Sequence, residues 1–145
     1  MGGPAQIGEP RRVPLAILRA ALAIGFAIDG FVALLALFAP AAMGPLLDVP
    51  VRDPAAATFA GGEFLVVAVL YAAIFRAPRR YRNLLWLVAL DQTLAIILPL
   101  YEMQRGNLVA TWKTVAPLGL SALLVVAYIA GWRSLNARYP QSQDT

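Results

Sequence analysis

Residues 87–102 read LVALDQTLAIILPLYE. Apart from Asp91, Gln92, Thr93 and the closing Glu102, the run is built of apolar side chains and one proline. A bilayer is crossed by about 20 mostly apolar residues in a helix, and this run reaches that length once its flanks are added. Asp91 then stands as an ionisable group within a candidate span, and the rest of the chain decides what surrounds it.

That remainder has the same character. Of 145 residues, 60% are hydrophobic and 14% charged, against about 25% charged in soluble domains. The mean hydropathy is +0.68. So few polar side chains cannot cover a soluble globule, and the composition predicts an integral membrane protein. Four segments are predicted to span as helices, at 14–38, 57–75, 84–101 and 115–132. The last two are short, so their ends are expected to extend into 81–83 and 112–114. The fold expected is an all-α, four-helix membrane bundle of one domain over 14–133, with terminal segments at 1–13 and 134–145. The first span outruns the roughly 7–15-residue apolar core of a signal peptide and contains Asp29, so it is read as a span that is retained. The opening MGGPAQ places Gln6 where a myristoylation signal needs Ser or Thr, which argues against lipidation.

Arginine sets the orientation. The net charge is +4, and all the cations but Lys113 are arginine. Arg11, Arg12, Arg19, Arg76, Arg79, Arg80, Arg82, Arg133 and Arg138 fall at one end of the predicted bundle; Arg52, Arg105 and Lys113 fall at the other. Cytoplasmic loops carry the excess of Arg and Lys, so both termini and the 76–83 connector are expected inside, in a bacterial inner membrane. Arg19 would snorkel back to that surface. Because the arginines occupy short connectors between spans, no nucleic-acid partner is expected. Trp86, Trp112, Trp132, Tyr81 and Tyr101 lie near span ends, as an aromatic belt requires. Prolines at 40, 45, 50 and 54 predict an irregular, semi-rigid outer loop, whereas Gly106-Asn107 predicts a tight turn in the other outer connector.

The chain has no Cys and no His. Disulfides, thiol chemistry, Cys/His zinc sites and axial-histidine pigments are thereby excluded, as is histidine acid–base catalysis. No metal site and no cofactor is expected. Chemistry falls to carboxylates, and three lie within spans: Asp29, Glu63 and Asp91. At about 1.5 Å per residue, they stand roughly 13, 9 and 15 Å from the outer ends of their predicted helices. A charge at that depth costs several kcal/mol and turns toward the bundle interior or stays protonated. Asp29, Glu63, Asp91 and Gln92 are therefore the candidate ligand- or ion-binding residues, and their convergence on one outward-opening pocket is an expectation. No cation stands at matching depth, although Lys113 is placed to reach Glu63. A proton, a cation, a cationic ligand or a partner's basic residue would complete the site. Separate polar contacts between helices, through Gln92, Thr93, Ser121 or backbone carbonyls, are the plainer alternative. The small residues Ala16, Ala20, Ala23, Ala27 and Gly30 form one stripe of the first helix, which predicts close helix packing there, as Gly61-Gly62 does on the second.

The layout of EFLVVAVLYAAIFRAPRRYRNLLWLVALDQTLAI, residues 63–96 with its acid, arginine–proline turn and mid-helix polar pair, resembles the small four-helix bacterial membrane proteins grouped as DoxX-like. The resemblance implies a four-helix fold. Some of those proteins are linked to redox chemistry, for which this chain has no Cys or His. The scheme of acids among membrane helices is also similar to the sterol-isomerase type of membrane isomerase, with no single residue carried over.

Three functions fit. The first is a non-catalytic subunit or ligand-binding module, alone, as a homodimer or beside another membrane protein, with a lipophilic or cationic ligand. The second is a small proton- or cation-coupled transporter. The third is an acid–base isomerase or cyclase of a lipid-soluble substrate, with Asp91 as acid and Asp29 or Glu63 as base. An apolar pocket against the carboxylates would favour the third.

Overall fold

Helix is the secondary structure that satisfies every backbone group within its own segment, which long apolar runs need in lipid. The computed structural model describes residues 15–138. Its elements are α1 (Leu15–Phe38), α2 (Met43–Leu47), α3 (Pro54–Arg76), α4 (Leu85–Gln104) and α5 (Trp112–Arg138), with 3₁₀ turns at Pro40–Ala42 and Arg82–Leu84. No strand occurs among the described residues. Four helices are long and apolar enough to cross a membrane, as an integral, multi-pass membrane protein requires. Arg11, Arg12, the opening residues and 139–145 of the tail lie outside the described residues.

Local chemistry sets the boundaries. Asp53 caps α3: its Oδ1 accepts from the backbone N–H of Ala55 at 2.8 Å and of Ala56 at 3.3 Å. Pro54 follows in the first helical turn, where its missing N–H costs nothing. The helix thus starts ahead of residue 57. At α5, Thr114 Oγ1 accepts from the backbone N–H of Thr111 at 2.8 Å, a side-chain reach-back that starts the helix at Trp112. Helix α5 also runs past 133, so 134–138 are helical rather than tail. Gly106, with φ +75°, makes the expected turn after α4.

The proline-rich outer loop is more regular than its sequence suggests. Pro40 opens the 3₁₀ turn and Pro45 lies within the first turn of α2. These are positions where a proline forfeits no hydrogen bond. Asp48 ends α2 in the left-handed region, at φ 56°. Its carboxylate accepts from Thr111 Oγ1 at 2.8 Å and from Lys113 Nζ at 3.2 Å, while Lys113 also donates to the Pro45 carbonyl at 2.9 Å. Lys113 therefore fastens the outer loop to α5 and does not serve Glu63.

The hydrogen bond from Thr111, then that from Lys113, holds Asp48 below the usual carboxylate range. A depressed folded pKa contributes stability above the unfolded value of about 3.9, and the contribution is lost as pH falls through the folded value. Protection of the 40–54 amides, measured against their intrinsic exchange rates, should accordingly fall below about pH 4, and Asp48→Asn should give that lower protection at neutral pH. Equal exchange in variant and wild type at pH 7 would rule out the clamp.

Packing is uneven. Helix α1 lies along α3 and α4 along α5, and the two pairs join chiefly where α1 meets α5. The apolar core gathers toward the arginine-rich end, around Leu18, Leu22, Tyr71, Ile74, Val88 and Tyr128. Toward the outer end α1 and α3 are held by small residues. A Cβ on Gly61 would stand 2.9 Å from Leu37 Cγ and 3.0 Å from Ala36 Cβ, so the close approach expected of Gly61 is present; Gly62 meets nothing.

The expected stripe on α1 faces the other way. Ala16, Ala20, Ala23 and Ala27 are exposed and Gly30 is half-buried. The buried face is Leu18, Ala21, Leu22, Gly25, Asp29, Ala33 and Ala36. Burying Asp29 fixes the rotation of the helix, and its neighbours one and two turns away are buried with it. In an alanine-rich helix the small residues alone do not select the seam.

Candidate functional site

Asp29 on α1 is 5% exposed, and its Oδ2 is buried without a hydrogen-bond partner. Tyr71 connects it to Asp91 on α4: Gly25, one turn before Asp29, lies against the Tyr71 ring, whose hydroxyl donates to Asp91. The ion pair seen among the described residues joins Lys113 to Asp48 in the outer loop, and neither acid takes part in it. The two acids thus come from helices of both pairs and interact electrostatically across the buried tyrosine.

Hydroxyls and an amide surround the acids. Tyr71 on α3 donates to Asp91 Oδ2 at 3.2 Å and accepts from Gln92 Nε2 at 3.0 Å. Gln92 Nε2 also reaches Asp91 Oδ2 at 3.2 Å. Tyr128 on α5 packs its ring against Tyr71, with centroids 5.8 Å apart, and donates its hydroxyl to the Ala21 carbonyl at 2.8 Å. Both tyrosine side chains are fully buried. They fit because α1 has Gly25 opposite them: a Cβ there would stand 2.6 Å from the Tyr128 hydroxyl oxygen and from Tyr71 Cε1. One glycine thus lets two aromatic side chains meet between α1, α3 and α5.

Three of the four expected site residues, Asp29, Asp91 and Gln92, belong to this cluster. Glu63 does not. It is exposed, because the buried side of α3 is set by Gly61, Ala68 and Tyr71. Two residues beyond Gly61, a side chain has turned about 200° around the axis. Asp29 keeps its expected depth, because α1 ends at Phe38, but Asp91 sits deeper. Helix α4 runs on to Gln104, which puts Asp91 roughly 20 Å from the outer end and roughly 9 Å from the arginine-rich one. Thr93 turns its hydroxyl to the Ala89 carbonyl of its own helix, at 2.7 Å, and does not join the acids.

Tyr71, Tyr128 and Gly25 build the candidate site and are not among the residues expected from the sequence. A signal existed. Membrane tyrosines gather at the interfaces, where the hydroxyl is wet, and a buried Tyr hydroxyl needs a partner. Two tyrosines away from the span ends therefore mark polar contacts inside.

An open cleft of about 370 Å³ lies between α4 and α5. Its wall includes Tyr128 but no carboxylate. Among the described residues no group of three or more acids is arranged to hold a metal ion. Comparison of the chain with protein-family models, with curated proteins and with solved structures finds no match. What it does is therefore argued from the site alone.

Proposed function

We propose that the chain is a non-catalytic binding module of a bacterial inner membrane, N-in and C-in, whose Asp29–Asp91 pair holds a single positive species, foremost a proton. The observation that carries the reading is a buried carboxyl oxygen on Asp29 without a hydrogen-bond partner, in electrostatic contact with a second acid, Asp91. Two carboxylates sharing one poorly solvated site repel each other, and one shared proton removes that repulsion. It also gives the unpartnered oxygen of Asp29 a role, as donor or acceptor in the shared bond. The hydrogen bonds from Tyr71 and Gln92 to Asp91 support the ionised form on that residue and leave the proton to Asp29. Buried acids that exchange protons mark conduction paths in membranes, so proton-coupled transport is the second reading. The isomerase reading has less support, since no carboxylate lines the cleft. The DoxX-like grouping is proposed on layout alone.

Infrared spectroscopy of the purified protein in lipid at neutral pH tests the pair. A protonated-carboxyl stretch is expected in the wild type and should vanish in Asp29→Asn. Glu63→Gln should leave it untouched. Absence of the band, together with a thermal midpoint that rises on adding a monovalent or divalent cation, would replace the proton with that cation. Absence of both effects would sink the proposal.

A further inference from the structure

The α4–α5 cleft has an amphiphile's polarity along its length. Leu85, Trp86, Trp132 and Arg133 line one end of it, and Ala89, Leu90, Thr93, Tyr128 and Ile129 continue it inward. From Trp86 to Thr93 the wall descends roughly 10 Å along α4. The two hydroxyls in the deep part are engaged elsewhere: Thr93 donates to Ala89 of its own helix and Tyr128 to Ala21 of α1. The deep wall is thus apolar in effect. At the mouth stand the exposed Arg133 and two partly exposed indoles, Trp86 and Trp132.

Charge at that end has one sign. Arg19, Arg76, Arg79, Arg80, Arg82 and Arg133 all lie there, with no Asp or Glu among the described residues of that end. The Nε of Arg82, in the 3₁₀ turn that packs on α5, is buried without a partner. Indoles settle at the headgroup level of a bilayer, and clustered arginines attract anionic headgroups. A groove that opens to lipid, basic at its interfacial mouth and apolar below, complements a molecule with an anionic head and a hydrocarbon tail. A neutral lipophile would leave the Arg133 charge unanswered.

We propose that the α4–α5 cleft binds one anionic phospholipid, with its phosphate at Arg133 between Trp86 and Trp132 and an acyl chain along Leu90, Thr93 and Ile129. The site is separate from the carboxyl pair and does not depend on its role.

Native mass spectrometry of the full chain, released from a non-ionic detergent and titrated with phosphatidylglycerol or phosphatidylcholine of matched chains, tests this. One phosphatidylglycerol should bind in preference to phosphatidylcholine. Arg133→Gln should weaken phosphatidylglycerol roughly fivefold, the weight of one arginine at an anionic surface, and Arg133→Lys should retain most of it. Leu90→Trp, at an exposed position in the wall, should fill the groove and displace the lipid while circular dichroism shows unchanged helix. Arg105→Gln, at the opposite end, should have no effect. Equal binding of the two lipids, or wild-type affinity in both Arg133→Gln and Leu90→Trp, would overturn the proposal.

Discussion

Gly25→Val is expected to lower the thermal midpoint in detergent more than the same change at any other glycine of α1. Even the first carbon of a side chain at 25 would stand 2.6 Å from the Tyr128 hydroxyl and from Tyr71 Cε1, and 2.8 Å from Tyr71 Cζ. Neither ring is free to retreat. Tyr128 is tied to the Ala21 carbonyl, and Tyr71 to Asp91 and Gln92. Overpacking of this kind costs about 1–3 kcal/mol, occasionally more. Gly25→Ala gains about 1 kcal/mol of helix propensity, so its net loss is smaller than that of valine, which adds two further methyl groups to the same clash. Gly30 supplies the control. A Cβ there meets nothing within 4 Å, so Gly30→Ala should hold or slightly raise the midpoint. Thermal melts followed by circular dichroism separate the two. If Gly25→Ala melts no lower than Gly30→Ala, the close tyrosine packing is not present in the membrane protein.

A second large effect is expected from the tyrosine hydroxyls, and it should be unequal. Tyr71 both donates to Asp91 and accepts from Gln92. Tyr71→Phe keeps the ring and strands polar groups in a buried place, which costs about 1–3 kcal/mol. Tyr128 donates to one backbone carbonyl that lies within α1. Tyr128→Phe gives up a single neutral bond, about 0.5–1.5 kcal/mol. Unfolding titrations in mixed micelles should therefore rank Tyr71→Phe below Tyr128→Phe. The reverse ranking would mean that the acid cluster is held by Tyr128 instead.

Much of the fold was legible because the requirement on a membrane span is crude. Length and apolar content are enough to place four long helices, and Pro54, Asp53 and Thr114 only adjust their ends. Which face of each helix turns inward was less accessible. On α1 the small-residue stripe pointed to one side, whereas Asp29 pointed to the other, and the acid decided. Desolvating a carboxyl outweighs any packing preference among alanines. The same rule failed for Glu63, nearer the outer end of its helix, where the side chain remains exposed. Asp91 and Gln92 were found because polar residues stand out in apolar sequence. Their partners Tyr71 and Tyr128 were missed because a tyrosine counts as hydrophobic in composition and acts as a hydroxyl only once buried.

The sparse interior has a consequence for which substitutions such a protein tolerates. Only 22–33% of an 18-residue apolar window in each long helix is buried; the fully exposed positions are free to face hydrocarbon, which accepts Leu, Ile, Val or Phe almost alike. Exchange of one such side chain for another at those positions should cost little stability. The positions that tolerate least are a few unlike residues: a glycine and an aspartate one turn apart on the first helix, a tyrosine in the next long one, an Asp-Gln pair in the third and a tyrosine in the fourth.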